Sequence, residues 1–193
     1  MDAYHLTLFV HLCAVITAGA AASLAVFTGG RYARALSYDD AHAWLELNGK
    51  VTITFPIVLI VLLVSGSYMV TLTGGGYWAT AWVRTGITAV VTIFAIGGFS
   101  GKRHKALERR LADMTDVQRH AQPFHPPRDP LLAVLPWVNI CFALGVVFLM
   151  TNKPSVANTV TIAIASIAVG LLIGYRTLAK GRAAAAAAAT ASD

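Results

Sequence analysis

Apolar residues in this chain gather into five long runs, each closed by glycines, prolines or basic residues. Crossing about 30 Å of hydrocarbon takes roughly 20 helical residues, because no backbone N–H or C=O can go unpaired there. Runs of that length lie at about residues 5–28, 51–73, 83–101, 131–151 and 156–175. Gly29-Gly30-Arg31 ends the first and Gly74-Gly75-Gly76 the second, Arg84 opens the third, Pro130 announces the fourth, and TNKPS separates the last two. The pattern predicts an all-α fold, a polytopic membrane bundle of five transmembrane helices in one domain over 1–182. The alanine run and TASD at 183–193 read as a low-complexity tail that frays.

Composition agrees: 56% of residues are hydrophobic and only 12% charged, where a soluble domain carries about 25% charge. Both cysteines, Cys13 and Cys141, sit inside apolar runs, so neither a disulfide framework nor a CxxC knuckle is available. MDAYHLTLF lacks the basic start of a cleavable signal peptide, and its apolar run is longer than such peptides use; it is expected to stay as an anchor.

Charge adds orientation. With five spans, thirteen of the fifteen Lys and Arg residues fall on one side, leaving Arg84 and Lys153 on the other. The excess of basic residues marks the cytoplasmic side, so the amino terminus is expected outside and the carboxy terminus inside a plasma (inner) membrane. Tyr4, Tyr68, Tyr77, Trp78 and Trp82 would form an outer aromatic belt, with Trp137 and Tyr175 near the inner face. The net charge of +6 thereby becomes a topology signal with anionic lipid as the expected partner at the cytoplasmic face. No nucleic-acid reader motif accompanies it.

Small residues let membrane helices approach closely. Ala18, Gly19 and Ala22 in the first span, Gly97 and Gly101 in the third, and Ser166, Gly170 and Gly174 in the fifth predict a compact bundle. Asn139 is expected to bond across to a neighbouring helix, and Pro56 and Ser65-Gly66 to bend the second span. Residues 37–50 read as a short interfacial helix with Trp44 against lipid. KRHKALERRLADMTDVQRH extends the third span as a basic helix with Leu107, Leu111 and Met114 along one side, until QPFHPPRDP breaks it.

The chemistry concentrates on His11. Thr7, His11, Val15, Ala18 and Ala22 share a stripe at helical spacing, which turns the imidazole toward the bundle. An ionisable side chain inside a span is costly and points to function. Hydrocarbon disfavours a charged imidazole, and the neutral ring is a ligand for haem iron, copper or zinc, or a proton relay. Equally, it can be a core histidine bonded to a threonine or a backbone carbonyl. No second histidine lies in another span. Met69 and Met150, both in the outer half, are the available soft partners, and His/Met sets suit haem or copper(I). Arg84 could neutralise a haem propionate near the outer surface or snorkel to headgroups. His42, His104, His120 and His125 are spaced too irregularly for a metal cluster to be the main reading.

The stretch FVHLCAVITAGAAASLAVFTGGRYAR, then LLVSGSYMV and a Trp-containing lead into the third span, resembles a broad group of small bacterial integral membrane proteins. The group is similar to copper-resistance-D-like and haem-binding protoporphyrinogen-oxidase-like membrane domains, and the resemblance covers about residues 4–110. It implies haem b or copper as cofactor and His11 as ligand. The aromatic-Leu-Pro-Arg motif of oxidase-like members is not matched, and Arg84 stands where relatives often place a lysine. Three functions follow: a haem- or copper-binding module for electron transfer or metal handling, with His11, Met69 and Arg84 as site residues; a non-catalytic subunit or scaffold engaging a second copy or a membrane partner protein; and a small-solute transporter. Intramembrane carboxylates, inverted repeats, P-loops and nucleophile motifs are missing, which argues against transport and hydrolysis.

Overall fold

A computed structural model describes residues 2–121 and 124–190, with backbone alone at 182 and 184–190. Its helices are α1 (Ala3–Tyr32), α2 (Tyr38–Leu72), α3 (Ala81–Ala112), a four-residue α4 (Asp116–Arg119), α5 (Pro130–Asn152) and α6 (Val156–Thr190), with a 3₁₀ turn over Gly76–Ala79. Among the described residues, five helices are long and apolar enough to cross a membrane, and no strand occurs.

Starts are set by side chains that satisfy the first free amides. Asp2 accepts from the His5 amide, Ser37 from that of Asp40, and Asp129 from those of Leu131 and Leu132, with Pro130 at the first helical position of α5. Thr115 and Gln118 close a reciprocal capping box on α4.

The helices run past the apolar runs at the end where the basic residues collect. α2 is continuous from Tyr38, so residues 37–50 are its first turns and no separate interfacial helix forms. Gly49 does not end it, because its bare backbone admits another side chain: a Cβ there would lie 3.1 Å from His104 Nε2. Trp44 is correspondingly half-buried. Its Nε1 donates to Asp40 Oδ1 at 2.8 Å, Phe27 meets it edge-on, and the Arg31 guanidinium lies 5.1 Å over its ring. The backbone continues α6 as helix through the alanine run to Thr190, in keeping with alanine's helix propensity; residues 191–193 lie outside the described ones.

α1 packs chiefly on α2 and α5 on α6, while α3 lies between the two pairs against α2 and α5. α1 also touches α5, so α1, α2, α3 and α5 form a ring with α6 outside it. Leu59, Ala89, Ile93 and Phe142 fill the apolar middle. A second core, at the basic end, joins Tyr32, Ala35, Ala41, Leu45, Leu107, Leu111 and Phe124.

Only some of the small residues are used for packing. A Cβ at Gly170 would fall 2.6 Å from Val138 Cα, one at Gly174 2.8 Å from Val134 Cγ1, and one at Gly145 would run into Ser166. Gly19, Gly97 and Gly101 have nothing within 4 Å of such an atom. Asn139 makes no bond to a neighbour through its carbonyl: Oδ1 is buried without a partner among the described residues.

At the end opposite the basic loops, Lys153 adopts φ 46° in the α5–α6 turn, and its ammonium lies 5.3 Å from the Trp82 ring centre and 5.9 Å from that of Tyr77. A left-handed non-glycine costs about 1 kcal/mol, and each exposed cation–π contact returns about 0.5–1 kcal/mol. Lys153→Ala keeps the strain and loses both contacts, so it should cost about 1–2 kcal/mol. Lys153→Gly loses both and relieves the strain, so it should stay near neutral. Thermal unfolding of the detergent-solubilised variants separates the two.

Candidate functional site

His11 sits on α1 eight residues from Ala3, and Ser65 on α2 seven residues before Leu72. Antiparallel packing therefore brings them to one depth, and His11 Nδ1 lies 2.9 Å from Ser65 Oγ. Gly66 makes room beside them: a Cβ there would be 3.3 Å from His11 Cε1. The Ser65-Gly66 pair thus seats an imidazole within an unbroken helix.

Hydrogen bonding favours one state of the ring. A serine hydroxyl has one proton, and Ser65 Oγ lies 2.6 Å from the Val61 carbonyl. With that proton given to Val61, the oxygen is free to accept from His11, the arrangement that puts the ring proton on Nδ1 and leaves the lone pair on Nε2. His11 is half-buried and Ser65 buried. The bond ties α1 to α2 while leaving one ring nitrogen able to act as ligand or acceptor.

Met69 lies one turn beyond Ser65 on the same face of α2, half-buried. Side chains lean toward the N-terminus of their own helix. In this antiparallel pair His11 leans toward Ala3 and Met69 toward Ser65, so the two converge in height. Arg84 is engaged elsewhere: exposed on the first turn of α3, it donates from Nε to the Trp78 carbonyl at 3.3 Å. Met150, the other soft residue, packs its methyl against Gly86 of α3. Cys13 is about 200° around α1 from His11 and lines an outward apolar groove with Val10, Thr17 and Val58. Among the described residues no group of three His, Cys, Asp or Glu is placed to hold a metal.

The five remaining histidines lie apart from His11, and His5 Nδ1 is 2.7 Å from Asp2 Oδ1. Buried His104 has Nε2 3.1 Å from the Leu45 carbonyl and 3.3 Å from Glu108 Oε1. His42 stacks on Tyr38, His120 Nδ1 lies 2.8 Å from the Asp116 carbonyl, and His125 is exposed.

A second polar system, absent from the sequence reading, stitches the basic end. Asn48 donates to the Ala25 carbonyl at 2.9 Å and to Thr28 Oγ1 at 2.8 Å. The Tyr32 hydroxyl donates to the Pro127 carbonyl at 2.7 Å, Arg128 to the Ala33 carbonyl at 3.3 Å, and Arg103 Nε to Asp129 Oδ2 at 2.8 Å. Burial pushes the Tyr32 phenol far above its ordinary 10.0, against a smaller opposing effect of Arg128, so it remains a donor.

Five long apolar helices, four in a packed ring and α6 against its outside, with most of the cations gathered at one end, define a polytopic helical membrane protein. No protein-family model, curated protein or solved structure matches the chain.

Proposed function

We propose that this protein resides in the bacterial plasma (inner) membrane, amino terminus outside and carboxy terminus in the cytoplasm, and that His11 offers Nε2 to the iron of haem b or to copper(I). The role is electron transfer or metal handling. The observation that supports it is the contact between His11 Nδ1 and Ser65 Oγ at 2.9 Å, with Ser65 Oγ also 2.6 Å from the Val61 carbonyl; in this reading the proton is on Nδ1 and the lone pair on Nε2. Ligating histidines almost always have the other ring nitrogen tied in this way, which fixes tautomer and orientation. Met69 is the second ligand in this reading, and Arg84 would face an anionic edge such as a propionate after leaving Trp78. The bound group would supply one-electron chemistry, while the chain supplies a dry, apolar site and a fixed imidazole.

A second reading rests on the same bond: both partners belong to the chain, so His11 ties α1 to α2 in a non-catalytic membrane subunit or scaffold. The resemblance to copper-resistance-D-like and haem-binding membrane domains favours the first.

Visible spectra of detergent-purified protein, oxidised and dithionite-reduced, separate the readings. A Soret band with sharpened reduced bands is expected in the wild type and is lost in His11→Ala. Ser65→Ala releases the tautomer and should weaken loading about 10–100-fold, as loss of an outer-shell partner does. If protein made with ample haem gives a featureless spectrum and elemental analysis finds no copper, the scaffold reading replaces the cofactor.

A further inference from the structure

The α5–α6 pair is tight along most of its length and open at the basic end. Gly145 against Ser166, Gly170 against Val138 and Gly174 against Val134 bring the two backbones together. Beyond Gly174 the partners part. The chain before α5 is drawn to the far side of the bundle, because Asp129 pairs with Arg103 of α3 and Pro127 accepts from Tyr32 of α1. α6 nonetheless continues as helix to Thr190.

The parting leaves a groove of about 430 Å³, walled by Pro130, Leu131 and Val134 on one side and Tyr175, Leu178 and Ala179 on the other. Its walls are mainly apolar. The same turns of α6 carry Arg176 and Lys180, one turn apart and both exposed. Among the described residues neither makes an ion pair, and no Asp or Glu occurs from Pro130 to Ser192. The nearest acid in the chain before the groove, Asp129, is already committed to Arg103 and to the first amides of α5. Tyr175, 61% exposed, offers a hydroxyl at the same level.

An apolar slot beside two cations that have no ion pair among the described residues, at a membrane boundary, has the chemistry of one ligand class. We propose that the groove binds an anionic phospholipid, with an acyl chain along Leu131, Val134 and Leu178 and the phosphate between Arg176 and Lys180. Arginine takes phosphate oxygens bidentately, and lysine adds a compact charge. A zwitterionic head brings its own ammonium toward the same two cations, so selection for net negative charge follows. A second copy in the groove would oppose Arg176 and Lys180 with their like-charged equivalents.

The test uses the full chain in mild detergent, offered equimolar phosphatidylglycerol and phosphatidylcholine and read by native mass spectrometry. Wild-type protein should retain phosphatidylglycerol on the order of tenfold over phosphatidylcholine, given two basic residues at the headgroup. Ala179→Trp fills the slot and R176Q/K180Q removes the two cations; each should bring the ratio to about one with helical content unchanged. If Ala179→Trp fails to fold, the double variant carries the test alone. Equal retention of both lipids by the wild type overturns the proposal. So does a preference that survives in the variants, which would place the lipid elsewhere on the basic surface. A smaller assembly in Ala179→Trp with lipid retention unchanged also overturns it, and would assign the groove to a second copy.

Discussion

Gly170→Val should unseat α6 from the bundle, whereas Gly97→Ala should leave the fold intact. Both glycines lie in small-residue patterns of the same spacing, so the contrast depends on what each one meets. At Gly170 a Cβ would sit 2.6 Å from Val138 Cα and 2.9 Å from the Trp137 carbonyl oxygen. Those are backbone atoms and cannot rotate aside as a side chain can. Carbon atoms prefer about 3.5–4.0 Å, so α6 must retreat by roughly 1 Å, and that also loosens Gly174 against Val134. Overpacking of this kind costs about 1–3 kcal/mol, and valine's second γ-carbon should place the change at the upper end. At Gly97 nothing lies within 4 Å, so the alanine meets open space and helix propensity turns in its favour by up to about 1 kcal/mol. Thermal midpoints in detergent, with limited proteolysis of the α5–α6 turn, measure both. Equal destabilisation by the two substitutions would contradict the packing described here.

Five membrane helices were legible because hydropathy reports the one requirement that hydrocarbon imposes on every spanning segment. The helix ends at the basic side were not. There α2 and α3 leave the apolar runs and pack on each other through an amphipathic stripe, which a membrane-length window does not sense. His104, Leu107 and Leu111 bury together at spacings of three and four, a period visible in the sequence. Leu107 and Leu111 are read from it, while His104 is grouped with His42, His120 and His125. The partners of Trp44 were hidden for a related reason: an aromatic near a boundary suits lipid, and the pattern does not show that Arg31, Phe27 and Asp40 also pack on it.

His11 was legible as costly and inward-facing, and its partner was not identified. Serine beside glycine in an apolar helix suggests a bend as readily as a seat for a ring. What distinguishes them is depth: His11 and Ser65 stand eight and seven residues from the ends of their helices on the same side of the bundle. Pairing spans by depth would have found the contact. Asn139, expected as glue, shows that a polar residue in a span does not by itself name its partner, since its carbonyl oxygen is buried with none among the described residues.

Asp129→Ala should be the most damaging substitution outside the spans, and its effect should depend on pH in a definite direction. The carboxylate does two things at once. One oxygen accepts from the Leu131 and Leu132 amides at 2.9 and 3.4 Å, capping α5, and the other meets Arg103 Nε at 2.8 Å. The side chain is only 7% exposed, so its loss leaves two amides and a guanidinium without their acceptor. A lost cap costs about 0.5–2 kcal/mol, and orphaning the cation adds to it, for a total of about 2–3 kcal/mol. Burial pushes the carboxyl up, but Arg103 and the two amides together outweigh it and hold it below its ordinary 3.8. A folded value below the unfolded one means that the stabilisation is present above about pH 4 and is lost as the pH falls through the folded value. Wild-type and Asp129→Ala midpoints should therefore differ fully at pH 7 and draw together as the pH falls through the folded value, below the ordinary 3.8. Asp129→Asn should keep part of the cap yet show none of this pH dependence. A wild-type-to-alanine gap that stayed constant from pH 7 to pH 3 would mean that the charge on Asp129 does not hold the loop to α3.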